Sequence, residues 1–393
     1  MFGLRQPKRR LLDVVVLVGI VLGAVGVSHC QQGAGTTSPV DPAEARAVLG
    51  NLAENVLRPS YERFATLAAA LEQACDTYAT SLDAADRAAA RDAWIEAMDA
   101  WQRLEMMQIG PAAPVTRPGG RGLRDEVDSW PLTNECRIDE EIVEANYVDR
   151  EAFALELVNV RGLDAMEYLL FHESADNACG ALAEINTSGA WAALGAVEID
   201  RRRAVYAATL AHLVRAQADA LANAWRSTGE DYAGLLARSD AAPYPDHATG
   251  LNAVSDAPFY LELVTKDQKL AATTREATES PHALRSRENV ATNLRAFEEI
   301  FLGAPPGTDA PGFDDLLASL GEAATAERIA TLVDGAEAAV AAIDEPIETA
   351  LTNQPAAVVA AHDAVRLVTD ELKGRFLTTL RLRVPAEASG DAD

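Results

Sequence analysis

The sequence predicts an all-α protein made of two four-helix bundles. Alanine is abundant, and β-branched and aromatic residues do not gather in the alternating runs that a sheet requires. Long stretches carry mostly apolar residues at steps of three and four, as in Val358, His362, Val365, Val368, Leu372, Phe376 and Leu380, where His362 reads as a core histidine. At 393 residues the chain exceeds what one hydrophobic core usually organises, and Gly229 to Gly250, with Pro243 and Pro245, breaks the periodicity.

Residues 1–30 read as an export signal. Arg5, Lys8, Arg9 and Arg10 make a basic start, Leu11 to Val27 is apolar apart from Asp13, and Val27-Ser28-His29-Cys30 follows. This layout resembles a bacterial lipoprotein signal with Cys30 as the lipidated residue, although His29 stands where a small residue is usual. The competing reading is an uncleaved membrane anchor. Either way the folded part is expected in the periplasm or cell envelope, held by a lipid anchor at the outer membrane in the first reading. Residues 31–41, rich in Gly, Ser and Thr, form a flexible tether.

The first bundle is expected over residues 42–229. Its first helix runs from about Pro42 to Thr80 with a break at Pro59. The second carries Trp94, Trp101 and Glu105 and stops at Gly110-Pro111. A Pro- and Gly-rich loop follows to Trp130, of a length that is usually functional or mobile. A central helix is expected from about Glu151 to His172 and another from Ser188 to Ser227, where the Arg201-Arg202-Arg203 run reads as a mostly solvated face. After a linker over residues 230–250, the second bundle covers residues 251–385. Its helices are Leu251 to Thr274, Ser286 to Leu302, Thr325 to Thr352 and Pro355 to Leu382, and residues 386–393 form a disordered tail.

Sixty acids against 34 bases give a net charge of −26, which repels phosphate backbones and sets nucleic acid aside as a partner. Export makes a disulfide permissible. Cys136 and Cys179 both fall in irregular segments flanking the central helix, whereas Cys75 keeps core spacing with Leu71 and Tyr78. The expected pair is Cys136 with Cys179, worth ~4 kcal/mol by loop closure, leaving Cys75 a buried thiol.

Two stripes are anomalous. Phe153, Leu157, Val160, Asp164, Glu167 and Phe171 fall on one helical face, so two of six inward positions are acids. Trp94, Met98, Trp101, Glu105 and Gln108 form a second stripe that Glu105 continues. An ionised carboxylate turned to a core costs several kcal/mol unless it is paired, hydrogen-bonded or bound to a cation. Glu105, Asp164 and Glu167 are therefore the candidate metal ligands. Trp130, Arg137, Tyr168, Arg285 and Arg287 are candidate ligand-binding residues, with Arg137 or Arg285 as balancing charge. The bland alternative is a salt bridge from these acids to Arg137, Arg161, Arg285 or Arg287.

The stretch Gly162-Leu163-Asp164-Ala165-Met166-Glu167, followed by Tyr168-Leu169-Leu170-Phe171, resembles the GxHxxE hallmark of the imelysin family. Trp101 to Glu105, Gly110-Pro111, Ser129 to Leu132, Leu284 to Arg287 with Asn293-Leu294, and Leu372-Lys373 are similar to other segments of that family. The resemblance implies exported helical bundles with a site near their interface, in proteins assigned to iron-regulated or metal-uptake systems or to peptidases. Asp164 stands where the hallmark has histidine. Oxygen donors in place of imidazole favour harder cations, a divalent or ferric ion, over zinc.

Peptidase chemistry finds little support in the residues. There is no HExxH, the six histidines are scattered, and no GxSxG is present. The sequence thus points to a lipoprotein binding a metal ion or metal-bearing ligand, with metal-uptake proteins as partners and no catalytic residue. A metallopeptidase and a non-catalytic interaction module are the alternatives.

Overall fold

The computed structural model describes residues 38–305 and 307–385. The signal, Cys30 and the tail expected from the sequence lie outside these residues. The described residues are helical, and the one β-type pairing among them is an isolated bridge between Ala241 and Tyr244.

Helix α1 (Pro42–Asn51) is capped by Asp41, whose carboxylate accepts from the Ala43 and Glu44 amides. A π-helical turn, Leu52–Leu57, joins it to α2 (Arg58–Ser81). The break anticipated at Pro59 is thus a change of helical pitch just before that residue. Helix α3 (Ala84–Glu105) ends five residues before Gly110, where the sequence placed its stop, and a buried turn at Gly110–Ala112 follows. Helix α4 (Glu135–Glu144) follows the long loop and is capped by the Asn134 side chain.

The central helix differs from the sequence expectation. Residues 151 to 172 are not one helix: short turns at Arg150–Phe153 and Val158–Val160 precede α5 (Gly162–Phe171). Leu157, expected on the buried stripe, is 71% exposed. The reason is local: Arg161 is extended and Gly162 has φ +91°, so no helix can pass through them. Helix α6 (Ala190–Trp225) is kinked at Gly195. The arginine run on it is also not uniformly solvated. Arg203 is buried and donates to the carbonyls of His172, Ser174 and Asp176, which turns the chain after α5 back over α6.

Helices α2, α3, α5 and α6 pack on one another around Trp94, Trp101, Tyr61 and Phe64. Helix α7 (His247–Asp256) packs on α1 and leads into a π-helical segment, Leu261–Leu270. That segment packs with α8 (Ser286–Leu302) and α10 (Pro355–Glu371), while α9 (Ala323–Ala341) covers α8 and α10. Helix α8 also lies against α3, and this contact brings the two helical groups together beside Glu105. Cys136 and Cys179 form a disulfide, and Cys75 is a buried free thiol. No described helix is long and apolar enough to cross a membrane.

Candidate metal centre

Gly162 sets the geometry of the site. A Cβ there would lie 2.8 Å from the Val127 carbonyl oxygen, so only glycine lets the start of α5 approach the 127–128 backbone this closely. Asp128 is consequently placed at the N-terminus of α5, where its Oδ1 accepts from the Asp164 amide at 3.2 Å. The positive end of a helix favours a carboxylate at this position.

Around Asp128 the fold gathers a group of buried acids. Glu105 comes from the end of α3 and Glu279 from the loop before α8. One oxygen from each of Glu105, Asp128 and Glu279 lies within 4.8 Å of the others, and all three residues are buried. Lys269 enters from the π-helical segment, fully buried. Its Nζ donates to Glu105 Oε2 at 2.8 Å, Glu279 Oε1 at 2.9 Å, Gln102 Oε1 at 2.6 Å and Asn293 Oδ1 at 2.9 Å. Burial alone would lower the Lys269 pKa, but Glu105 and Glu279 raise it above the ordinary lysine value. Arg124 approaches the other oxygen of Glu105, at 3.6 Å.

Glu167, one turn into α5, holds the loop that carries Glu279. Its carboxylate accepts from Ser280 Oγ and from the His282 and Ala283 amides, each at 2.8 Å. Asp164 is half-buried, between Asp128 and Glu167 in its electrostatics. Burial, then the Asp128 and Glu167 charges, hold its pKa well above the carboxylate range. Burial pushes Asp128 up to about 7, with Glu105 adding to it and Arg124 opposing. Burial pushes Glu167 up to about 7 as well, against the pull of its three donors. Burial also raises Glu279.

The five acids Glu105, Asp128, Asp164, Glu167 and Glu279 face two cationic side chains, Lys269 and Arg124. Inside the group Asp128 Oδ2 is buried without a hydrogen-bond partner, and Glu105 Oε1 has only the longer contact to Arg124 at 3.6 Å and the neighbouring Tyr260 hydroxyl. The donor set is therefore oxygen-only, acidic in excess and incompletely satisfied, which suits a hard cation. Protons are the alternative occupants.

The other residues singled out by the sequence are distributed around this centre. Tyr168 is buried next to it and donates to Asp139 Oδ2 at 2.8 Å, with the His172 and His282 rings against it. Trp130 and Arg124 both line a cleft of about 290 Å³. Arg137 is held by Glu140, Glu141 and Glu144 of its own helix. Arg285 pairs with Asp99 at 2.7 Å, Arg161 with Glu126 at 2.8 Å, and Arg287 with Glu288 and the Ile343 carbonyl. None of these four arginines pairs with Asp164 or Glu167 among the described residues.

Asp128, Glu279, Lys269 and Arg124 were not selected from the sequence. Lys269 had a usable signal, since it follows Leu261 and Thr265 at steps of four and all three are buried. Asp128, Glu279 and Arg124 sit in or beside loops, where periodicity says nothing about burial.

The imelysin family model, that of peptidase family M75, matches residues 57–372. The chain belongs to the imelysin family. A relative named iron-regulated protein A, from Synechococcus elongatus, is 32% identical over 116 residues, which is 30% of each chain. The chain thus matches less than a third of that relative's length. Two solved structures share the fold. An iron-regulated protein A precursor from Parabacteroides distasonis has a TM-score of 0.69 at 18% identity, covering 88% of this chain and 97% of its own. An imelysin-like protein from Psychrobacter arcticum has a TM-score of 0.67 at 17% identity, covering 88% and 99%. Within this imelysin-family chain the Gly162 to Glu167 stretch lies at the buried acids.

Proposed function

We propose that this imelysin-family protein binds a hard metal ion, divalent or ferric, at the buried acids, as an exported component of iron or other metal acquisition. The observation that carries the reading is the buried Asp128 Oδ2, which has no hydrogen-bond partner, beside Glu105 Oε1, whose nearest cation Arg124 stays 3.6 Å away, inside a group where acids outnumber cations. Glu105, Asp128 and Glu279 would hold the ion, with Asp164 beside them. Lys269 already occupies the other oxygen of Glu105, so it limits the charge of the group without filling the open positions. Glu167 positions the Glu279 loop through its three hydrogen bonds. The relative named iron-regulated protein A supports the metal setting.

Export rests on the signal-like first thirty residues and fits the Cys136–Cys179 disulfide, which persists in oxidising compartments. Cys30 would tether the protein to the membrane, where it would hand its ion to an uptake partner.

The test is elemental analysis of the full chain purified without chelator, beside Glu105→Gln and Asp128→Asn. About one ion per chain is expected in the wild type, with most of it lost in either variant. Equal metal in all three proteins, or none in the wild type after loading with manganese(II) or iron(III), would refute the reading.

A further inference from the structure

Two histidines that lie far apart in the sequence meet beside Tyr168. His172 follows the last residue of α5, and His282 lies in the loop that leads into α8. Their ring centres are 5.4 Å apart with the planes nearly perpendicular, and the Tyr168 ring lies 4.9 Å from one and 5.2 Å from the other.

Each imidazole is held by a carboxylate of its own. His172 Nε2 lies 3.0 Å from Asp176 Oδ1, and His282 Nε2 lies 2.7 Å from Glu135 Oε1. An ionised carboxylate only accepts, so it fixes the proton of a neutral ring on Nε2 and leaves a lone pair on Nδ1. That is the arrangement found behind metal-bound histidines. Among the described residues Nδ1 of neither ring is hydrogen-bonded or sealed from solvent, and the side chains are 22% and 19% exposed. The chain around them is tied down. Glu167 accepts from the His282 amide, Arg203 donates to the His172 carbonyl, and the Cys136–Cys179 disulfide joins the segments that carry Glu135 and Asp176. Asp139 adds a third acid: its Oδ2 accepts from the Tyr168 hydroxyl and the Ala178 amide, and its Oδ1 is buried without a partner. The cation beside these acids, Arg203, is committed to three backbone carbonyls.

We propose that His172 and His282 form a second metal site, which takes a divalent transition ion of the copper or zinc type on their two Nδ1 atoms, with solvent in the remaining positions. Two imidazoles that share one tetrahedral ion at ~2.0–2.1 Å place their ring centres ~5 Å apart, close to the spacing observed. Nitrogen donors separate this site from the all-oxygen centre in chemistry, because imidazole suits copper and zinc whereas carboxylates suit harder ions. It also differs in access, since both rings reach solvent while Glu105, Asp128 and Glu279 are buried. The assignment stands on the two rings and their carboxylates and is independent of the metal reading above.

Copper(II) is the probe, because its paramagnetic resonance spectrum counts the imidazoles bound to it. One equivalent added to the tag-free full chain should give a pulsed spectrum with two coupled imidazoles. His172→Gln and His282→Gln should each weaken copper binding at least tenfold and leave one coupled imidazole. Glu135→Gln and Asp176→Asn, which orient the rings without touching the ion, should weaken it severalfold and keep both.

Fewer than two imidazoles in the wild-type spectrum would overturn the proposal, as would no copper binding at submillimolar concentration. Two imidazoles retained in His172→Gln or His282→Gln would place the copper elsewhere and overturn it too. The wild-type spectrum needs no substitution, so a variant that fails to fold leaves this test in force. Copper held by oxygens alone would likewise refute the histidine site without touching the acid centre, whose own failure is read from manganese and iron content.

Discussion

Lys269→Met isolates the charge logic of the site. Lys269 is fully buried, and its ammonium group touches two carboxylates and two amide oxygens, all within 2.9 Å. Methionine keeps the length and apolar stem but strands Glu105 and Glu279. Breaking a buried pair by removing one partner costs ~3–5 kcal/mol. The cheapest escape is to protonate one stranded glutamate. From an ordinary glutamate value of about 4.3, that proton costs ~5 kcal/mol at pH 8 but only ~1 kcal/mol at pH 5. The variant should therefore lose ~3–5 kcal/mol relative to wild type at pH 8 and ~1–2 kcal/mol at pH 5. The measurement is urea unfolding followed by circular dichroism in chelator at both pH values. Millimolar manganese(II) at pH 8 should restore more stability to the variant than it adds to wild type, since the lysine's positive charge is gone. Wild-type stability at pH 8, or an equal loss at both pH values, would refute the reasoning. The latter outcome would mean that packing, and not charge, is what Lys269 provides.

The remaining tests address the neighbouring groups. Asp128 and Glu167 are raised to about 7 in the fold, so the stability they confer without metal is complete below the ordinary carboxylate range and lost as pH rises through about 7. Stabilisation by manganese should run the other way, being small at pH 5.5 and larger at pH 8, because the ion must displace protons; thermal melts with and without the ion check both. Gly162→Ala places a Cβ against the Val127 carbonyl at positive φ and should destabilise by ~2–3 kcal/mol, with metal content falling as Asp128 moves away. Glu167→Gln turns three donated hydrogen bonds on a carboxylate into weaker ones, at ~1–3 kcal/mol, and should speed amide hydrogen exchange at His282 and Ala283. Cys136→Ser with Cys179→Ser opens a loop of 43 residues and should cost ~4 kcal/mol in a denaturant titration.

The sequence by itself determined the helical class, the disulfide partners and the burial of Glu105 and Glu167. The class and the burials follow from local periodicity, which reports which face of a helix turns inward; the cysteine pair was right although Cys136 lies in the first turn of α4 and not in the irregular segment expected of it. It also marked the Gly162 to Glu167 stretch as anomalous, because acids on an apolar stripe require an explanation whatever surrounds them. It extended that stripe too far, since Phe153 and Leu157 keep the right spacing but Gly162 begins a new helix.

Only the tertiary structure decided what answers the acids. The neutralising cations are Lys269 and Arg124, brought in by a π-helical segment and by a turn in the long loop, rather than any of the arginines picked out by position. The helix pitch changes at Leu261–Leu270, and Asp128 and Glu279 lie where the chain has no regular period. Their convergence depends on how α3, α5 and α8 meet, and on the close approach that Gly162 permits. A charge reads its partners through space at a few ångströms, and sequence spacing carries that distance only within a single helix.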